Sequence, residues 1–202
     1  MDIDLVNTQR YKMFYRILCL ALLLSLSAGC TNMFFYPIKE HLLEPKKYGI
    51  SYDDIYFPTT DGLTLHGWLL PAKGEEKATI LFLHGNAQNI STHVGAVFWL
   101  PEHGYSVFII DYRGYGKSEG SSEIHGIISD VRSAISYSIE HMHTSRPFIV
   151  MGQSLGASLA IYPVVTSPYK NSISGIVLVS PFSDFRKIAR EYLDSSWITW
   201  LF

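Results

Sequence analysis

The stretch Phe148-Ile149-Val150-Met151-Gly152-Gln153-Ser154-Leu155-Gly156 decides how this chain folds. Four apolar residues run without interruption, as a strand buried on both faces must. They lead into Gly-x-Ser-x-Gly, and apolar spacing of three and four residues then predicts a helix over Leu155 to Val165. A strand, a tight turn bearing this pattern and a helix together make the setting in which a serine hydroxyl is pushed out at the end of a sheet. Ser154 must adopt a strained backbone there. Gly152 and Gly156 are needed because side chains at those positions would collide with the neighbouring strand and helix.

Working outward, Thr79 to Leu83, Val107 to Ile110 and Ile176 to Val179 have the same character as Phe148 to Met151, and the four read as central parallel strands. Helical spacing between them marks Ile90 to Glu102 and Glu123 to Met142, the second with Ile127, Val131, Ile135 and Ile139 lined up as a core-facing stripe. Asp54 to Pro58 and Leu63 to Leu70 alternate around Thr60-Asp61-Gly62, which predicts an antiparallel hairpin at the sheet edge. Strands separated by helices require right-handed crossovers, so the expected class is α/β, a mostly parallel sheet with helices on both sides. Ligands gather at the carboxyl ends of such strands. Three polar clusters fall there: His84-Gly85-Asn86, Asp111-Tyr112-Arg113-Gly114-Tyr115-Gly116 and Gly152-Gln153-Ser154-Leu155-Gly156.

These three motifs, in this order and spacing, resemble the α/β-hydrolase superfamily. Their wording is close to the branch that contains the Bem-type proteins and the depalmitoylase-like abhydrolases, over roughly Tyr52 to Phe185. The resemblance implies an α/β-hydrolase fold with Ser154 as nucleophile. The backbone amides of Leu155 and Asn86 would be the oxyanion-hole donors. Two rigid N–H groups aimed at a developing oxyanion favour the tetrahedral state, each worth about 3 kcal/mol where one has been removed. His84 is expected to support the oxyanion loop by hydrogen bonding, and Asp111 and Arg113 to fix the adjacent loop by ion pairing or backbone hydrogen bonds. The remaining histidines, His41, His66, His93, His103, His125, His141 and His143, are expected on loops or helix surfaces. The implied chemistry is hydrolysis of a small-molecule ester or related acyl substrate, with ester and peptide bonds both left open. No metal and no organic cofactor is implied.

Family chain order is Ser, then Asp or Glu, then His. The 48 residues after Ser154 hold Asp184, Glu191 and Asp194 but no histidine. A serine without a general base is a weak nucleophile. Asp184 is either the triad acid or, the reading we favour, an N-cap for a helix starting near Phe185. The expected fold therefore lacks its last strands. Three outcomes follow: a truncated copy of a serine hydrolase with impaired activity, a non-catalytic lipoprotein using the fold as a binding or scaffold module, or an enzyme that recruits its histidine from elsewhere.

The N-terminus reads as an address. Arg10, Lys12 and Arg16 precede an apolar run of about ten residues, Ile17 to Leu26, too short for the roughly 20 that span a bilayer. Ser27-Ala28-Gly29-Cys30 follows and resembles the bacterial lipobox, so residues 1–29 are expected to be a signal peptide and Cys30 the site of lipid attachment. An ordinary signal peptide or an N-terminal anchor is the alternative. Two or three acyl chains on Cys30 would hold the protein on the bacterial cell envelope, at the periplasmic face, with the outer membrane favoured over the inner. Residues 30–51, with Pro37 and Pro45 and no apolar period, read as a tether, leaving 52–202 as the incomplete hydrolase domain. Across the 202 residues, 16 Lys and Arg against 18 Asp and Glu leave no basic excess for nucleic acid. Two cysteines make no disulfide framework.

Overall fold

The computed structural model describes residues 35–142 and 146–183. Cys30, His143 and Asp184 lie outside the described residues, so the readings made for them are not addressed by it. The chain separates at Phe35 into two compact units, and everything below concerns the second, which begins there.

Six strands form one sheet: β1 (Asp53–Pro58), β2 (Thr64–Leu70), β3 (Ala78–Leu83), β4 (Tyr105–Ile110), β5 (Phe148–Gln153) and β6 (Ile173–Val179). Their order is β1-β2-β4-β3-β5-β6. β1 pairs antiparallel with β2 and β2 antiparallel with β4, whereas β4, β3, β5 and β6 run parallel. This is the mixed, mostly parallel sheet of the α/β-hydrolase fold, with the expected hairpin at one edge.

Every residue of β3 is buried. Because side chains alternate across a strand, Leu81 and Leu83 join one core with Phe108, Ile127, Val131, Ile135, Val150 and Leu159, while Ile80 and Phe82 join a second with Trp68, Ile109, Ile90 and Val97. Ile127, Val131 and Ile135 face the first core from helix α2 (Ile124–Tyr137), as their spacing requires.

Three expectations need correction. The helix expected over Ile90 to Glu102 is only α1 (Ile90–His93), followed by 3-10 turns at Val94–Ala96 and Leu100–His103. Gly95 weakens helical propagation, and Pro101 has no amide to continue it. β6 is not buried on both faces: Ile176 and Val177 are 40% and 45% exposed, and among the described residues β6 is the edge strand of the sheet. Most of the expected tether is docked. Phe35 and Pro45 are buried, and Tyr36–Pro37 pairs in parallel with Ala87–Gln88. An aperiodic segment can dock when other side chains satisfy its backbone. Here the Asn89 side chain donates to the carbonyls of Ile38 and Glu40 at 2.8 and 2.7 Å, and the Leu42 amide donates to Ser91 Oγ at 2.9 Å.

Arg113 ties the loop after β4 to two other elements. Its Nε and Nη2 donate to Asp130 Oδ1 on α2 at 2.9 and 2.7 Å, and its Nη1 and Nη2 donate to the Asp61 carboxylate in the hairpin turn at 2.9 and 3.1 Å. The Arg113 backbone amide also donates to Asp130 Oδ2 at 2.8 Å. The loop is thus fixed by an ion pair and a backbone bond together, though Asp111 is not the partner of Arg113. Asp130 is fully buried and Asp61 is 47% exposed on its side chain. Removing the buried acid leaves the guanidinium only its water-exposed partner and strands the Arg113 backbone amide, whereas the exposed acid is already screened by water. Asp130→Ala is expected to cost about 3 kcal/mol in urea unfolding and Asp61→Ala under about 1 kcal/mol. Equal losses would show that burial does not set the worth of the two pairs.

Candidate active site

The site is assembled where β3, β4 and β5 end side by side. Leu83 pairs with Ile110 on one side and with Gly152 on the other, so the segments after residues 83, 110 and 153 leave the same rim. Helix α3 (Leu155–Thr166) starts directly after Ser154, which has φ 52° and ψ −112°. Positive φ on a non-glycine residue is strained, and it persists only where the surroundings enforce it. The surroundings here are backbone. A Cβ on Gly156 would lie 2.1 Å from the Leu83 carbonyl oxygen and 2.7 Å from that of His84, and one on Gly152 would lie 2.6 Å from the Ala157 nitrogen and α carbon. The Ser154 amide donates to the Val179 carbonyl at 2.8 Å, which anchors the bend from the β6 side. Ser154 itself is partly exposed, while Leu155 is buried. The first amides of α3 have no partners within the helix, as at any helix N-terminus, and the positive end of its dipole lies beside Ser154.

The loop after β3 is held from every side. His84 is fully buried, and its Nδ1 is 2.7 Å from the Gly85 carbonyl oxygen. That oxygen is an acceptor, so Nδ1 carries the proton and donates. The Gly85–Asn86 peptide is trans, so fixing its carbonyl also fixes the direction of the Asn86 N–H at the opposite end of the plane. The Tyr115 hydroxyl donates to the Asn86 carbonyl at 2.6 Å, the Tyr112 hydroxyl to the His84 carbonyl at 2.9 Å, and the Asp111 Oδ1 accepts the Ile90 amide at 2.9 Å. His93 stacks on His84 with centroids 5.0 Å apart, and its Nε2 donates to the Ala87 carbonyl at 2.8 Å. Burial pushes the His84 ring down to about 4, against the opposing pull of Asp111, so it is neutral near pH 7. With Nδ1 on Gly85 and Nε2 turned 3.7 Å from Asp111, His84 is a strut of the loop.

Asp111 is the centre of a second cluster beneath this loop. Burial works to raise its carboxyl, but the facing His41, His66 and His84 rings and the Ile90 amide outweigh it and hold the group below the ordinary carboxylate value. His41 and His66 were expected in solvated positions. Instead His66 is fully buried on β2 with its Nε2 2.7 Å from Asp54 Oδ1, and the His41 side chain is only 12% exposed. Neither stood in a motif, and a histidine at an inward position of an alternating strand was the only hint for His66. Asn89, Tyr112 and Tyr115 were also not singled out. Asn89 immediately before α1 carries an N-cap signal, and its Oδ1 does accept the Ser91 amide at 3.0 Å. His103, His125 and His141 are exposed as expected. A cleft of about 440 Å³ beside Tyr48, Lys73, Phe98 and Trp99 lies at the opposite ends of the strands, beyond the start of β4, and shares no residue with the rim.

The Hydrolase_4 family (serine aminopeptidase, S33) matches residues 74–201. The chain belongs to this family. The family places it among the serine hydrolases of the α/β-hydrolase superfamily. Curated relatives include the Salmonella typhi protein YfhR, 35% identical over 201 residues that cover 91% of this chain and 65% of that protein. Protein bem46 of Schizosaccharomyces pombe is 34% identical over 153 residues, covering 73% of this chain and 50% of that one. The chain thus spans between half and two thirds of the length of these relatives. Among solved structures, the Pyrococcus furiosus esterase Pf2001 superposes with a TM-score of 0.68 at 23% identity over 86% of this chain and 66% of that one, a likeness of fold.

The close approach of α3 to β3 gives a direct test. Gly156→Ala is expected to lower stability by about 3 kcal/mol or more, because its new methyl meets backbone that cannot step aside. Gly95→Ala, which points into open space, should change stability by less than about 1 kcal/mol. Similar urea midpoints for the two variants would refute the packing described here.

Proposed function

We propose that the chain carries the nucleophilic half of a serine hydrolase acting on ester or related acyl bonds. Ser154 attacks the carbonyl carbon. Its hydroxyl proton passes to solvent, the Leu155 and Asn86 amides hold the oxyanion, and collapse of that intermediate expels the leaving group, protonated by water, to give an acyl-enzyme. A water molecule then adds to the acyl carbon, releasing the acid and restoring the serine hydroxyl. The positive φ of Ser154 at the mouth of α3, enforced by the Gly156 contact with the end of β3, is the observation that supports this reading most. The His84 bond that orients the Gly85–Asn86 peptide supports the second donor. Family membership supports the reaction class and leaves ester and peptide bonds both open. Lipidation of Cys30 and a place on the bacterial envelope remain part of this proposal, resting on the sequence from Arg10 to Cys30.

No histidine follows Ser154 in these 202 residues. The reading therefore assigns a poised serine and its donors, and assigns no base. An oxyanion hole retains about 10^3 to 10^4-fold catalysis over water when a triad member is missing. A fluorophosphonate probe is expected to label the chain slowly, at Ser154 alone by peptide mass mapping, and Ser154→Ala should abolish the label. Labelling that survives in Ser154→Ala, or that falls on other serines, would refute the assignment.

A further inference from the structure

Three side chains from separate parts of the chain turn unpartnered polar atoms toward one another beneath the loop after β3. His41 comes from the docked N-terminal segment, His66 from β2 and Asp111 from the end of β4. His41 Nε2 is 3.5 Å and His66 Nδ1 is 3.7 Å from Asp111 Oδ2, and the three atoms lie within 4.8 Å of one another. His66 and Asp111 are fully buried. All three atoms are buried without a hydrogen-bond partner, among a handful of such side-chain atoms in the described residues.

The hydrogen bonds around the cluster make this costly unless something is bound. Asp54 accepts from His66 Nε2 at 2.7 Å, so Nδ1, on the Asp111 side, is the ring nitrogen left for a ligand. His84 Nε2 is another such nitrogen, 3.7 Å from Asp111, since its proton is on Nδ1 facing Gly85. Each buried polar atom left without a partner costs about 1 to 3 kcal/mol. Lys117 pairs with Asp54 at 3.3 Å. Gly116 keeps the carboxylate clear, since a Cβ there would sit 1.9 Å from Oδ2.

We propose that His41 Nε2, His66 Nδ1 and Asp111 Oδ2 form a binding site for a divalent transition-metal ion of the zinc type. Two imidazoles and one carboxylate suit Zn2+, and the 3.5 and 3.7 Å separations from Asp111 Oδ2 are near the roughly 3.4 Å between two ligands on a tetrahedral ion. The two ring nitrogens, within 4.8 Å of each other, would draw together on binding through the His41 side chain. Asp54 behind His66 has the position of the carboxylate that fixes ring orientation in metal sites. A fourth ligand would be water, reached from the partly exposed His41 side. The ion would staple residues 35–42 to the sheet beneath the Asp111–Ile90 contact. It lies apart from Ser154, so the inference does not depend on the serine chemistry.

The test uses the purified chain, stripped with chelator and dialysed, then titrated with Zn2+ by calorimetry and with Co2+ by visible absorption. One equivalent of Zn2+ should bind, Co2+ should give the intense visible bands of a tetrahedral site, and Zn2+ should raise Tm by roughly 5 °C. His41→Ala, chosen because this ligand is the least buried, should weaken binding at least 10-fold and abolish the Tm shift, while Asp54→Asn should weaken it about 10 to 100-fold. His103→Ala, an exposed histidine elsewhere, should bind as the parent does. Binding below one tenth of an equivalent, or equal affinity in parent and His41→Ala, would overturn the proposal and leave the cluster to an ordered water or a shared proton.

Discussion

The gap between the end of β3 and the start of α3 is too narrow for any side chain, and that gap governs how the rim is built. With hydrogen in place of Cβ at Gly156, the helix can begin against the Leu83 and His84 carbonyls. Its N-terminus then lies beside the segment leaving β3, and the connection from β5 has no room for a relaxed turn. Ser154 takes positive φ because the strand on one side and the helix on the other are both already fixed by buried packing. The strain, of order 1 to 3 kcal/mol, is small against the apolar area buried by Leu155, Leu159 and Ala160 on α3. The same contact that strains the serine places a helix dipole next to it.

The interior of the fold was legible in the sequence, and its margins were not. β3, β4 and β5 are short uninterrupted apolar runs, and the hairpin alternates around a turn motif, so length and period identify them. The glycines of the elbow could be assigned a steric purpose before any contact was known, because a strand-to-helix turn leaves few ways to bend. β6 misled because an apolar run says that a strand is suited to burial and says nothing of what covers it. Residues 35–51 misled for the opposite reason. They have no period, so nothing in their spacing shows that they dock; their order comes from Asn89 and Ser91, whose side chains lie 49 to 51 residues away along the chain. The segment from Ile90 to Glu102 carries helical spacing, yet Gly95 and Pro101 within it outweigh that spacing.

At the rim, the sequence separated the roles of the three motifs but missed how they are joined. Tyr112 and Tyr115 lie within a motif read for its aspartate and arginine, yet their hydroxyls are what hold the carbonyls of His84 and Asn86. A tyrosine can reach across to a neighbouring strand's loop, and only the parallel pairing of β4 with β3 brings that loop within reach. The loop after β3 is therefore built less by its own residues than by those of the next strand. Local pattern cannot reveal such a dependence, because it is a property of strand order.

Asp111 carries this furthest. One oxygen accepts the Ile90 amide and sets the start of α1; the other faces His41 and His66. The carboxylate thus stands between the loop that orients the Asn86 peptide and the N-terminal segment that enters from Phe35. That segment is in turn held by Asn89, one residue before Ile90, through the Ile38 and Glu40 carbonyls. The Gly116 amide donates to the Ile38 carbonyl at 3.0 Å as well, so the loops after β3 and β4 grip the same few residues. Loosening residues 38–42 would free Asn89 and expose Asp111 together. A chain segment whose sequence looks like a passive connector is, by this geometry, part of the wall that keeps the loop after β3 in shape.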